Sequence, residues 1–122
     1  MMLSYERTSY IIRGCVYEVY RQLGCGYLEK VYERALLREL SLKGLQSEAQ
    51  VPFKVYYKDA VVGEYLADIV VENTIILELK AQQNIPAEGE AQLLNYLKAS
   101  GLHLGFLVNF AFPRARIKRV VL

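Results

Sequence analysis

The hydrophobic pattern changes its period near Gln50, and this change limits the folds open to the chain. Before it, apolar residues recur every three or four positions over 5–23 and about 27–43, which predicts two helices that end at glycines. After it, apolar and polar residues alternate over about 51–58, the period of a half-buried strand. The chain is therefore predicted to place two helices ahead of a sheet.

The remaining segments extend this pattern into an α/β fold. Further elements are predicted as strands at about 63–71 and 74–80, a helix at 90–100, and strands at 104–110 and 117–122. Turn residues separate the first three strands, which predicts an antiparallel meander. A polar loop around Pro86 leads to the third helix, which is predicted to cross over between neighbouring strands. The nearly continuous apolar run after that helix predicts a strand buried on both faces. The predicted order is α-α-β-β-β-α-β-β, a mixed β-sheet flanked by helices.

The length and composition of the chain indicate one domain, in which a single site is expected to carry the function. A chain of 122 residues with 53% apolar and 23% charged residues matches one globular domain, 1–122, and excludes wholesale disorder. No apolar run reaches the length of a membrane span, so no membrane partner is expected. The first residues lack the pattern of a secretory signal, and a cytoplasmic location is the expectation. Cys15 and Cys25 lack a C-x-x-C spacing and are predicted to be packing residues.

The charge distribution leaves two interpretations open. A net charge of +2 permits contact with phosphates but does not by itself indicate nucleic acid. Arg114, Arg116, Lys118 and Arg119 form a cluster of cations with no acid among them, which is suited to contact with a polyanion. The same cluster is equally typical of an edge strand that charge protects from aggregation.

Two charged residues, Glu78 and Lys80, interrupt the apolar segment 75–80. Because strand residues two apart share a face, these side chains are predicted to lie side by side, where burial of either one alone would be costly. Asp68 is a lone acid in the preceding strand, and the turn between the strands brings it alongside Glu78. Two carboxylates from adjacent strands predict a Mg²⁺ site. Lys80 is then predicted to orient an attacking water or to neutralise charge on the phosphate.

The alternative for these residues is a structural ion pair at the sheet edge, between Lys80 and either acid. An acid followed about ten residues later by E-x-K is a pattern that chance often produces. Two helices add support. Glu29 and Tyr32 are spaced to face a common neighbour, and so are Gln92 and Tyr96. These pairs offer an additional acid and hydrogen-bonding groups for phosphate, although each is also compatible with ordinary helix surface.

The sequence also resembles a known family. Residues 26–32 read Gly-Tyr-Leu-Glu-Lys-Val-Tyr, which matches the G-x-x-E-x-x-Y signature of the GxxExxY proteins, a group placed in the PD-(D/E)XK nuclease superfamily. The family's other blocks are similar in order to residues 67–71, 78–81, 90–97 and 105–110. The resemblance covers almost the whole chain, and it implies the mixed sheet flanked by helices that is typical of the superfamily.

The resemblance also implies roles for individual residues. Asp68 and Glu78 would be metal ligands, Lys80 the catalytic cation, and Glu29 an additional helix carboxylate that is expected to serve as a further metal ligand. Gln92 and Tyr96 resemble the Q-x-x-x-Y pair of RecB-like nucleases, which contributes to the active site. Three positions depart from the family pattern, because Tyr20, Leu66 and Gly89 stand where histidine, arginine and histidine are frequent. The change at Leu66 removes a side chain that binds phosphate with two hydrogen bonds.

The leading hypothesis is a nuclease that hydrolyses DNA, with RNA as the less favoured alternative substrate, by means of water activated by Mg²⁺ or Mn²⁺. Tyr32, Arg114 and Arg116 are expected to contact the substrate. The rival hypothesis is a non-catalytic domain that keeps the nuclease fold to bind nucleic acid or a protein partner. A third is an assembly protein, because ten tyrosines and a high apolar content leave room for a homodimer face.

Overall fold

The computed structural model describes residues 4–83 and 87–122. Its elements are α1 (Tyr5–Leu23), α2 (Glu29–Leu42), β1 (Ser47–Tyr57), β2 (Ala60–Val71), β3 (Ile75–Lys80), α3 (Ala87–Ser100), β4 (Leu104–Asn109) and β5 (Arg116–Val121). The predicted order of elements is confirmed. The predicted loop around Pro86 lies outside the described residues. No helix in the described ranges is long and apolar enough to cross a membrane.

The strands form one five-stranded sheet in the order β1-β2-β3-β4-β5. The first three strands are the antiparallel meander that the sequence predicted. Helix α3 then carries the chain across to β4, which pairs in parallel with β3, and β5 closes the far edge antiparallel to β4. The crossover between neighbouring strands is therefore confirmed, and the sheet is mixed.

The two faces of the sheet are covered by different helices. Helices α1 and α2 cover one face through a cluster that includes Ile12, Leu36, Ile69, Leu77 and Phe106. Helix α3 covers the other face through a smaller cluster that includes Val70, Ile76, Leu93, Tyr96 and Leu107. Alternate residues of β3 thus belong to opposite clusters. Because Ile76 packs on the α3 face, Glu78 and Lys80 lie on that face too.

The sheet divides between β2 and β3, and this division positions the candidate site. Strand β2 pairs with β3 only from Ile69 to Val71, whereas it pairs with β1 along almost its whole length. The outer part of the hairpin leaves the sheet as a two-stranded ribbon, which turns at Lys58 and Asp59, both at positive φ. Asp68 and Glu78 are the first residues beyond the last β2–β3 pair, so they lie at the fork.

Some boundaries differ from the predictions. Helix α2 begins at Glu29 rather than 27, because Leu28 has an extended backbone, with φ −71° and ψ 155°. Strands β1 and β2 begin at Ser47 and Ala60, earlier than predicted, because the hairpin ladder continues beyond the residues that alternate clearly. Helix α3 begins at Ala87, three residues before the predicted start.

The two cysteines have different environments. Cys15 is fully buried in the α1–α2 cluster, which confirms its predicted packing role. Burial raises the pKa of its thiol to about 11. Cys25 is exposed in the α1–α2 loop, so its predicted packing role is wrong. A loop bounded by glycines with positive φ, as at Gly24 and Gly26, offers its side chains little cover.

Gly105 provides a test of how tightly α3 packs on the sheet. A Cβ atom at this position would lie 2.9 Å from a Leu93 methyl group and 3.2 Å from the Ile76 carbonyl oxygen. We expect Gly105→Ala to lower the free energy of unfolding by about 1–3 kcal/mol, the usual cost of overpacking. Gly14→Ala, in open space within α1, should instead raise it by about 0.5–1 kcal/mol. Urea denaturation measures both, and equal effects would contradict this packing.

Candidate active site at the fork of the sheet

Asp68 and Glu78 join β2 and β3 at the fork through their side chains. The Leu79 N–H donates to Asp68 Oδ2 at 2.8 Å, and the Asp68 N–H donates to Glu78 Oε1 at 3.4 Å. Each carboxylate therefore accepts a hydrogen bond from the backbone of the opposite strand, where a regular ladder would use carbonyl oxygens. The two acids predicted from spacing are brought together.

Glu78 is in an unfavourable environment for a charge. Its side chain is buried, with 3% of the residue exposed. Burial, together with the negative charge of the Asp68 carboxylate and a side-chain interaction with it, raises the pKa of Glu78 to about 8, although the hydrogen bond from the Asp68 N–H and the Lys80 cation both oppose the shift. Two adjacent carboxylates in a poorly solvated position favour either a shared proton or a bound cation. The site is therefore suited to a positively charged group.

Tyr96 lies against Glu78 from α3. Its ring packs edge-on against Tyr65 of β2 at a centroid distance of 5.3 Å, which closes the α3 side of the fork. Burial and the neighbouring Glu78 carboxylate raise the pKa of the Tyr96 phenol well above its usual value, so the hydroxyl stays protonated and is able to donate. Gln92, one turn earlier, is exposed. The predicted pair thus contributes one buried and one solvent-facing side chain.

A cavity of about 370 Å³ adjoins Asp68 on the α2 side of the sheet. It is lined by Leu28, Glu29, Lys30, Glu33, Gln50, Asp68 and Leu79. Glu29, the predicted helix carboxylate, is exposed at this cavity. The first turns of α2 thus place two further carboxylates near the fork, on the side opposite to Tyr96.

Glu33 was missed by the sequence analysis. It is buried, and it accepts hydrogen bonds from Lys30 Nζ at 2.7 Å and from Gln50 Nε2 at 2.6 Å. Gln50 lies within β1 but has a left-handed backbone, with φ 54°. The strand pairing of β1 with β2 continues on both sides of Gln50 but skips Gln50 and Asp68. The signal in the sequence was an acid one turn beyond Glu29, beside the apolar positions of α2.

Asn109 is a second missed residue, and it fixes the chain after Lys80. Its buried amide accepts from the Gln82 N–H at 3.1 Å and donates to the Gln82 carbonyl oxygen at 2.7 Å. The Phe110 N–H also donates to the Lys80 carbonyl oxygen, at 2.9 Å. These bonds extend the β3–β4 pairing past the end of the strands. A lone polar residue at the end of an apolar strand was the available signal.

Tyr32 does not occupy a substrate-facing position, and this corrects the expectation. Its side chain is fully buried and its ring stacks on Phe110, with centroids 4.4 Å apart. Its hydroxyl donates to the Gly24 carbonyl oxygen at 2.6 Å and accepts from the Tyr27 N–H at 3.3 Å. Glu29, three residues earlier at the start of α2, is exposed instead, so the two side chains reach different surroundings.

The predicted basic cluster lies on the edge strand β5 and in the segment before it. Arg114 and Arg116 are exposed there, as are Lys118 and Arg119. Lys118 forms an ion pair with Glu90 of α3 at 2.6 Å. The predicted position on an edge strand is confirmed for Arg116, Lys118 and Arg119. Protection from aggregation by these charges stays a prediction, and so does a role for Arg114 and Arg116 in substrate contact. His103 is an exposed loop residue.

The residues at the fork fit a divalent cation with few protein ligands. Within residues 4–83 and 87–122, no three His, Cys, Asp or Glu side chains approach closely enough to hold a metal. Glu29 is therefore not joined to Asp68 and Glu78 as the third ligand of the predicted set. The remaining pair still matches Mg²⁺, which commonly uses one or two carboxylates and keeps several waters. A cation would also relieve the repulsion that raises the pKa of Glu78.

The raised pKa of Glu78 predicts a pH-dependent stability for the metal-free protein. Between about pH 4.5 and 8 the unfolded chain releases this proton before the folded chain does, so stability is lost as pH rises. Glu78→Gln removes this loss and keeps the acceptor oxygen. With a chelator present, its melting temperature should exceed that of the wild type by several °C at about pH 8.5, and the difference should shrink towards about pH 5.

The matched control is Glu64→Gln, which alters an exposed acid of the ribbon. Its melting temperature should differ from that of the wild type by a similar, small amount at both pH values. A pH-independent effect of Glu78→Gln would contradict the assignment of a charge penalty to Glu78.

Comparisons with known proteins agree with this architecture. The fold is similar to the crystal structure of SSO0001, with 13% identity, a TM-score of 0.60, and coverage of 93% of this chain and 76% of that chain. It is also similar to an alkaline exonuclease, LHK-Exo from Laribacter hongkongensis, with 12% identity, a TM-score of 0.56, and coverage of 99% and 72%. No curated protein matches the sequence significantly. A family model of the PD-(D/E)XK nuclease superfamily matches residues 6–120, and the chain belongs to this superfamily.

Proposed function

We propose that this protein is a metal-dependent nuclease that hydrolyses phosphodiester bonds of DNA. The observation that carries the proposal is the pair of carboxylates at the fork, Asp68 and Glu78, with Lys80 two residues further along the same face of β3. Membership of the superfamily implies a nucleic acid substrate. Divalent metals are general in this superfamily, and the choice of Mg²⁺ or Mn²⁺ here is part of the proposal.

Asp68 and Glu78 are the residues that would hold the ion. When bound, the ion supplies a Lewis acid for a phosphate oxygen and lowers the pKa of a water. The carboxylates are suited to this role because backbone hydrogen bonds from the opposite strands fix both of them. Their separation is thus set by the sheet, which gives the site the rigidity that catalytic geometry requires.

Lys80 supplies the nearby cation on the α3 side. Its side chain is partly buried, and its charge acts on Glu78. From this position it would orient the attacking water or stabilise negative charge on the phosphate. Asn109 supports the role indirectly, because it fixes the backbone two residues after Lys80. The Tyr96 hydroxyl, protonated beside Glu78, and the solvent-facing Gln92 would hydrogen-bond the substrate or its water.

In this proposal Glu29, Arg114 and Arg116 act at the periphery of the site. Glu29 is exposed at the cavity beside Asp68 and would act on water or substrate there. Arg114 and Arg116 would contact backbone phosphates away from the reacting group, where they position the strand without reading its sequence. Leu66 is 49% exposed on the ribbon and provides no cation near Asp68, so the grip on phosphate must come from elsewhere.

The catalytic assignment is tested by removing one group at a time. With Mg²⁺ or Mn²⁺, we expect Glu78→Ala and Lys80→Met each to reduce DNA cleavage by at least about 100-fold, because the first removes a proposed ligand of the ion and the second removes the cation beside the reacting phosphate. Cleavage is measured on labelled single-stranded and duplex DNA. Lys98→Met, at an exposed position near the end of α3, is the matched control and should cleave normally. Full activity of both site variants would refute the assignment.

The substrate-contact role of Arg114 and Arg116 is tested by the salt dependence of DNA binding. Each phosphate contact that is lost should reduce the slope of log affinity against log salt by about 0.7–0.9, depending on whether the DNA is single-stranded or duplex. We therefore expect Arg114→Ala and Arg116→Ala each to reduce this slope in anisotropy titrations with a chelator present, and the two reductions to add when the substitutions are combined. Arg38→Ala, which alters an exposed cation of α2, should leave the slope unchanged. Unchanged slopes for both the Arg114→Ala and the Arg116→Ala variants would remove these residues from the interface.

A further inference from the structure

Leu28 occupies a position where both local structure and solvent disfavour leucine. It is the N-cap residue of α2, and it makes no side-chain hydrogen bond to the first turn. Serine, threonine, aspartate and asparagine are preferred there because they bond the free N–H groups of the helix. Among the large apolar side chains of the described residues, Leu28 is also the most exposed, at 80%. Neither feature is explained by folding stability.

The loop that carries Leu28 is held in one conformation. The buried Tyr32 hydroxyl bonds both ends of it, through the Gly24 carbonyl oxygen at 2.6 Å and the Tyr27 N–H at 3.3 Å. Gly24 and Gly26 supply the positive φ angles that the turn needs. The Tyr27 ring packs edge-on against Tyr32 at 6.2 Å. Leu28 is thus presented to solvent by a fixed backbone, which lowers the entropy lost on binding.

Leu28 also lines the cavity that contains Asp68 and Glu29. Its methyl groups therefore provide an apolar surface beside a candidate metal-binding carboxylate. In a nucleic acid strand, phosphates suit the metal and the cations, whereas the main apolar surfaces are the faces of the bases. We infer that Leu28 packs against a nucleobase next to the scissile phosphate and so contributes to substrate binding. This inference rests on the proposed nuclease function.

The inference requires substrate affinity and stability to change in opposite directions. Leu28→Ser supplies the missing cap, as Ser4 does for α1 by accepting from the Arg7 N–H at 3.1 Å. We expect the melting temperature to rise by about 4 °C, because a cap gained in this way stabilises a domain of this size by that order. The same change should raise the Kd for DNA about tenfold, since it removes an apolar contact with a base. A residue with a purely structural role would not separate the two effects.

The experiment uses the full chain and short fluorescein-labelled single-stranded DNA. Melting temperature, Kd in chelator and KM with Mn²⁺ are measured for the wild type, Leu28→Ser, Leu28→Met and Leu42→Ser. Leu28→Met keeps an apolar side chain and should retain the wild-type Kd and KM. Leu42 is 60% exposed at the other end of α2, and Leu42→Ser should leave DNA binding unchanged.

Three outcomes would overturn the inference. One is a wild type that cleaves DNA and a Leu28→Ser variant with the same Kd and KM, which leaves the nuclease function intact. Another is an equal loss of affinity in Leu42→Ser, which would indicate a non-specific effect. The third is a loss of self-association in Leu28→Ser, seen by sedimentation, without a change in DNA affinity, which would assign Leu28 to contact with a second copy. A wild type that neither binds nor cleaves DNA would overturn both this inference and the proposed function.

Discussion

The exchange of hydrogen bonds between Asp68 and Glu78 is the interaction on which the rest of the site depends. Each carboxylate accepts from a backbone N–H of the opposite strand at the point where β2 and β3 separate. Without these bonds the two strand backbones would have unpaired N–H groups at the fork, which is costly in a partly buried position. The side chains therefore complete the sheet and, in doing so, are fixed side by side. The same hydrogen bonds therefore pair the two strands and position the two carboxylates.

The burial of two adjacent acids lowers the stability of the fold, and the apolar clusters on the two faces of the sheet have to offset that loss. Glu78 is nearly fully buried beside another acid, and its raised pKa expresses that conflict. Large apolar side chains on both faces of β3 and β4 supply the favourable free energy, at about 1.5–3 kcal/mol for each one fully buried. Polar groups near the fork are satisfied rather than left alone, as the bonds of Glu33 and Asn109 show. A rigid surrounding of this kind allows an unfavourable pair of adjacent acids to persist.

Whether a feature of the site was predictable from the sequence depends on whether the residues that determine it are close together in the chain. The alternation of residues in β3 predicted that Glu78 and Lys80 share a face. The turn after β2 predicted that Asp68 lies beside Glu78. Both signals lie within a few residues of the side chains concerned. The order of elements followed from the changes of period. Glu33 was not predictable in the same way, since its burial depends on Gln50 reaching it from a strand with an irregular backbone. Asn109 likewise acquires its role only when β4 pairs with β3.

Helix α2 shows why a motif and the role of its residues need separate arguments. The spacing of Glu29 and Tyr32 is part of the resemblance to the GxxExxY proteins, yet the two side chains do different work. Glu29 is exposed at the cavity beside Asp68, whereas Tyr32 is buried and ties down the loop before the helix. The stacking of Tyr32 on Phe110 connects that loop to the end of β4, whose Asn109 fixes the chain after Lys80. The start of α2 and strand β3 are thus positioned through the same part of the core, so a change at Tyr32 would disturb both sides of the fork.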